Sequence, residues 1–135
     1  MGRGGFDKTN RSEPESVWDY PRPPRLERTA SLVRVVHGGV VLAETTRALR
    51  ILETSHPPVF YLPPDDVAMQ YLEPSPRRAS FCEWKGAATY WNVVMGNNVS
   101  VDAVWSYARP AAAYAELKDH LAFYASRVDE CSVDG

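Results

Sequence analysis

Cys82-Glu83-Trp84-Lys85-Gly86 places a thiol, a carboxylate, an amine and a permissive glycine within five residues. The segment runs directly into Ala87-Ala88-Thr89-Tyr90-Trp91, so the reactive groups stand between aromatics. A nearby ammonium raises the thiolate fraction of a cysteine, and the thiolate is the form that attacks carbon. A desolvated lysine is itself a base or a Schiff-base former. In an extended segment Cys82 and Lys85 point to opposite faces, so they converge only through a bulge or turn, which Gly86 permits. The bland alternative is a buried small hydrophobe beside a lysine whose stem covers apolar surface.

Further residues extend this candidate site. Glu53 follows Ile51-Leu52, and a carboxylate on an apolar strand needs a partner such as Lys85 or Arg78. Tyr61, Tyr90, Trp105 and Tyr107 can line a pocket with their rings while offering polar tips, or simply fill a core. Asp66 follows Pro63-Pro64, a position that suits a helix cap and leaves ligand binding as its second reading. The catalytic candidates are therefore Cys82, Lys85 and Glu53; the binding candidates are Tyr61, Asp66, Tyr90, Trp105 and Tyr107. His120 reads as a general base or a solvated side chain, and Arg77-Arg78 as an anion site or a loop. Neither Cys82 nor Cys131 has a CxxC partner, and His37, His56 and His120 are scattered, so no metal and no cofactor is expected.

The elements that must position these groups are bounded by composition. A chain of 135 residues, 44% hydrophobic and 24% charged, accommodates one domain with a core of moderate size. A formal net charge of -2 gives no reason to expect nucleic acid. Apolar runs are a few residues long and the start, Met1-Gly2-Arg3-Gly4-Gly5, has no apolar h-region. The expectation is a soluble cytoplasmic protein with free thiols and no membrane partner.

Residues 1–14 read as a disordered tail and 15–28 as a proline-rich extended arm with Val17, Trp18 and Tyr20 as apolar anchors. Residues 29–130 read as a single β domain. Gly38-Gly39 between two β-rich runs predicts a hairpin. Strands are expected over 59–62, 80–84, 87–94 and 99–107, and a capped short helix over 65–72, stopped by Pro74 and Pro76. Residues 45–53 fit a helical turn or a strand. Tyr114, Leu117, Leu121, Tyr124 and Val128 recur at helical spacing, and the alanine-rich 111–118 favours helix.

Several segments together resemble a known bacterial family, domain of unknown function 427. They are Leu52-Glu53-Thr54, Pro58, Tyr61, Pro63-Pro64-Asp65-Asp66-Val67, Cys82 to Gly86 with Ala88 and Tyr90, Ala103-Val104-Trp105-Ser106-Tyr107, Pro110 and Ala122-Phe123-Tyr124. The arm is similar to the leader of actinobacterial members, so the likeness covers about residues 15–128. It implies a compact, mainly antiparallel β-tent-like fold, similar in topology to methionine-R-sulfoxide reductases, with one or two short helices. It also implies that 121–125 is a strand, against the helical spacing. Zinc in the β-tent relatives depends on two CxxC pairs that this chain lacks, so neither metal nor sulfoxide reduction carries over. Some classifications place the family near nucleotidyltransferases, but there is no Gly-rich phosphate loop here and no paired metal-binding Asp motif. Two functional expectations follow. One is a small-molecule pocket around Cys82 to Gly86, in an enzyme acting on a polar metabolite. The other is a non-catalytic interaction module or homodimer that uses the arm.

Overall fold

A computed structural model describes residues 24–134 apart from 54, 78, 79, 83 and 84. The expected tail, the arm as far as residue 23 with Trp18 and Tyr20, and Arg78, Glu83 and Trp84 lie outside the described residues. The strands are β1 (Arg25–Arg28), β2 (Leu32–His37), β3 (Val40–Thr45), β4 (Leu49–Leu52), β5 (Val59–Tyr61) and β6 (Leu72–Pro74). They continue with β7 (Ser80–Cys82), β8 (Gly86–Met95), β9 (Asn98–Tyr107), β10 (Leu121–Phe123) and β11 (Glu130–Asp134). Every strand pairing is antiparallel. Three sheets result, with orders β1-β4-β5, β10-β9-β8-β6 and β11-β2-β3, and β7 pairs with β8 beside β6.

The alternation within β2 shows how the sequence selects a face. Val33 and Val35 are buried while Arg34 between them points outward to its cross-strand partner Glu44, with Nε 2.8 Å from the carboxylate. Gly38 and Gly39 close this hairpin with φ of +59° and +76°, the left-handed pair that a two-residue turn requires. The β8–β9 hairpin forms the central pair, and a register shift between Trp91 and Val93 bends it. Apolar side chains on the two sides of this sheet enter different cores. One contains Val33, Val35, Leu42, Val93, Val104 and Leu121; the other contains Leu49, Ile51, Tyr61, Tyr90, Tyr107 and Ala122. Leu121 and Ala122 are neighbours in the chain and part to opposite cores, as a strand demands and a helix would not.

The helical spacing over 114–128 is therefore not realised as a helix, in agreement with the family resemblance. Backbone groups of Leu121 and Leu62 exchange two 2.8 Å hydrogen bonds, and β10 lies on β9. Tertiary pairing outweighs a weak local preference. The alanine-rich stretch forms only 3-10 turns over Ala112–Leu117, with non-helical backbone at Tyr114. The capped helix expected over 65–72 is likewise replaced by 3-10 turns at Pro64–Asp66 and Met69–Tyr71. Val67 bridges to Ala43 and the Ala68 amide donates to the Leu42 carbonyl, which draws the segment onto β3. Asp66 is no cap: its carboxylate accepts Thr45 Oγ1–H at 2.6 Å and Arg47 Nη2–H at 3.0 Å. Pro74 ends β6 at the edge of its sheet, where a missing N–H is tolerated. β1 and β11 carry paired strands beyond both ends of the expected 29–130 span. Among the described residues no helix is long and apolar enough to cross a membrane.

Candidate functional site

Cys82 pairs with Gly86 in register at the closed end of the β7–β8 hairpin. Gly86 has φ +104°, and a Cβ there would stand 2.8 Å from the Arg109 carbonyl oxygen. That turn carries Lys85 inward, where it is 5% exposed. The ammonium donates to Glu53 Oε1 at 2.6 Å, joining the loop to the residue after β4. A buried ammonium is tolerable only with such a partner. The strand–turn geometry thus brings Lys85 to Glu53, one of the two partners, Lys85 or Arg78, expected for that carboxylate.

Three phenols lie within electrostatic reach of Glu53. Tyr61 at the end of β5 contacts Tyr107 at the end of β9, with centroids 6.2 Å apart, and meets the Trp105 ring edge-on at 6.1 Å. Trp105 Nε1 donates to Tyr61 Oη at 3.2 Å. Burial pushes the Tyr61 hydroxyl far above the usual phenol range, with Tyr107 adding to the rise and the Trp105 donor opposing it. Tyr107 is pushed up to about 12, first by burial, then by Cys82, with Glu53 and Tyr90 adding smaller shares. Tyr114 is raised by burial, then by Cys82 and Glu53. The thiol and the carboxylate therefore act on the same two phenols. Cys82 is half-buried.

Tyr114 was not among the sequence candidates. It is buried, and its hydroxyl donates to the Pro24 carbonyl at 2.6 Å, tying the start of β1 to the 112–117 turns. Its only sequence signal was a place in an apolar spacing that turned out not to be helical. Two candidates lie apart from the ion pair. Asp66 holds Thr45 and Arg47, and those contacts keep its carboxyl below the usual range. Tyr90 is on the same sheet face as Trp105, but its hydroxyl bonds Ser80 Oγ at 2.5 Å and its ring lies 4.0 Å beneath the Arg77 guanidinium. Among the described residues no group of three or more His, Cys, Asp or Glu could hold a metal ion.

The raised tyrosines predict alkaline lability. A phenol whose folded pKa exceeds its unfolded value of about 10 contributes stability that is fully present below about pH 10. For Tyr107 this contribution is lost as the pH rises through about 12. Urea midpoints should fall steeply above about pH 10, and phenolate absorbance of the buried tyrosines should appear only with unfolding. Titration of all seven tyrosines near pH 10 in the folded protein would contradict this.

Antiparallel sheets holding a buried lysine paired with a half-buried glutamate, a half-buried thiol and a set of raised phenols define a small, mainly β domain with a polar cluster. The chain belongs to the family described as Domain of unknown function (DUF427), whose model matches residues 25–134. Among curated proteins, none matches it.

Proposed function

We propose that the domain binds a small polar molecule at the Glu53–Lys85–Cys82 cluster and that Cys82 carries covalent chemistry on it. The supporting observation is the buried Lys85 ammonium 2.6 Å from Glu53, on the hairpin turn that follows Cys82, with Cys82 and Glu53 both acting on Tyr107 and Tyr114. Glu53 takes one of the three ammonium donors, so a ligand carbonyl or carboxylate has donors to meet. Tyr107 supplies a hydroxyl that stays protonated through the physiological range. In this reading Cys82 is the nucleophile, Lys85 and Tyr107 stabilise negative charge on the ligand, and Glu53 holds Lys85 in place.

The test is iodoacetamide labelling at neutral pH followed by mass spectrometry of both cysteines. Cys131 is exposed, but packing around its sulfur and the Glu130 charge push its thiol up, which slows it. Cys82 should label faster than Cys131, and Lys85→Met should remove most of that advantage. Equal or slower labelling of Cys82 ends the nucleophile role. A second reading, the non-catalytic interaction module, draws on an apolar groove of about 280 Å³ lined by Val59, Phe60, Phe123, Tyr124 and Val133. It gains support if Cys82 proves inert.

A further inference from the structure

We propose a second ligand site, an open groove where β1 meets the approach to β4, that takes a small organic anion with a compact apolar body. The groove has a volume of about 580 Å³, and neither Glu53, Cys82 nor Lys85 lines it. Thr29 N–H donates to the Ala48 carbonyl at 3.1 Å, which stitches the end of β1 to the start of β4 and brings Arg28 and Arg47 to one cavity.

Both guanidiniums are gripped along a single edge. Arg28 Nε and Nη2 donate to Glu116 Oε2 at 3.1 and 2.5 Å. Arg47 Nη2 and Nε donate to the Asp66 carboxylate at 3.0 and 3.3 Å. A guanidinium presents its donors in a rigid fork, so a grip on Nε and Nη2 fixes the plane and leaves the Nη1 donors for a ligand. Side chains already held in place lose less freedom on binding.

Donor geometry selects the ligand's sign. Each guanidinium is balanced by one carboxylate, Arg28 by Glu116 and Arg47 by Asp66, and it is the Nη1 donors of the two arginines that remain to meet an anion. Ala30, Ala48, Leu49 and Pro63 supply apolar lining for a compact ligand body. His120, which the sequence reads as a general base or a solvated side chain, sits at this groove, its Nδ1 bonded to the Lys118 carbonyl at 3.2 Å and Nε2 as its remaining nitrogen. Carboxylates and phosphate esters share the chemistry that suits paired guanidiniums.

An amide NMR titration of the full chain with benzoate, phenyl phosphate and inorganic phosphate tests the site. Benzoate or phenyl phosphate should bind at about millimolar concentration and move the amides of Thr29, Thr46 and Ala48, the tighter of the two showing which anion is preferred. Inorganic phosphate, without an apolar body, should bind more weakly than phenyl phosphate. Arg28→Gln and Arg47→Gln should each weaken binding about tenfold, the loss of one charge-assisted contact, with the remaining amide spectrum preserved. If Arg47→Gln disturbs folding through the loss of Asp66, Arg47→Lys keeps the charge without the fork and should show the same weakening. The proposal is overturned if no groove amide moves by about 10 mM probe. It is also overturned if folded variants bind as the native chain does, or if inorganic phosphate binds as well as phenyl phosphate.

Discussion

Gly86→Ala is expected to destabilise the domain by about 3–5 kcal/mol, combining backbone strain with steric overpacking. The added Cβ would lie 2.8 Å from the Arg109 carbonyl oxygen, and that oxygen belongs to backbone following β9 rather than to a flexible side chain. The φ of +104° adds strain of its own for any residue with a Cβ. Gly39→Ala supplies the control. Gly39 also has a positive φ, +76°, but a Cβ there meets nothing within 4 Å, so its cost should be only about 1 kcal/mol of conformational strain. Urea denaturation of the two variants separates the contributions. Similar midpoints would mean that the hairpin does not press on residue 109 and that Lys85 is not held in place by this turn.

Glu53→Gln should be the next most damaging change, at about 2–4 kcal/mol, because it strands a buried ammonium. Lys85 is 5% exposed, whereas the Glu53 side chain retains 30% of its exposure. The two halves of the pair are therefore unequal. Lys85→Met leaves a carboxylate that water can reach and fills the space with a chain of similar length, so its cost should be smaller, about 1 kcal/mol. The double variant Glu53→Gln with Lys85→Met should be more stable than Glu53→Gln alone, a non-additivity that equilibrium unfolding measures directly. Additive costs would show that the 2.6 Å contact contributes nothing to the folded state. The cycle also bears on function, since a pair retained for stability alone would leave Cys82 labelling unchanged in Lys85→Met.

The placement of Cys82 and Lys85 illustrates how far the residues could be read. Strand alternation alone sends them to opposite faces, and the condition for their meeting was a turn near Gly86. The turn is there, closed by the Cys82–Gly86 pair. Yet it delivers Lys85 to Glu53, while the thiol is felt at Tyr107 and Tyr114. Glu53 is thirty-two residues away in the chain, just after a strand of another sheet, and no local pattern could choose Lys85 over Arg78 as its partner. Asp66 was misread for a related reason. Its proline-rich setting suits a helix start, but Val67 and Ala68 found partners on β3, and the freed carboxylate turned to Thr45 and Arg47.

By itself, the sequence determined the mainly β class, the Gly38-Gly39 hairpin, the strands on either side of Gly86 and the family membership, because period-2 patterning and turn chemistry act over a few residues. Residue spacing by itself left Leu121–Phe123 open between helix and strand; tertiary structure alone decided that Lys85 is buried against Glu53 and that Arg28 and Arg47 share a groove. Those outcomes depend on pairings between distant segments, whose free energy comes from burial and from satisfied backbone groups. The Cys82-to-Gly86 segment announced its reactive groups in one dimension; only the closed sheets chose their neighbours.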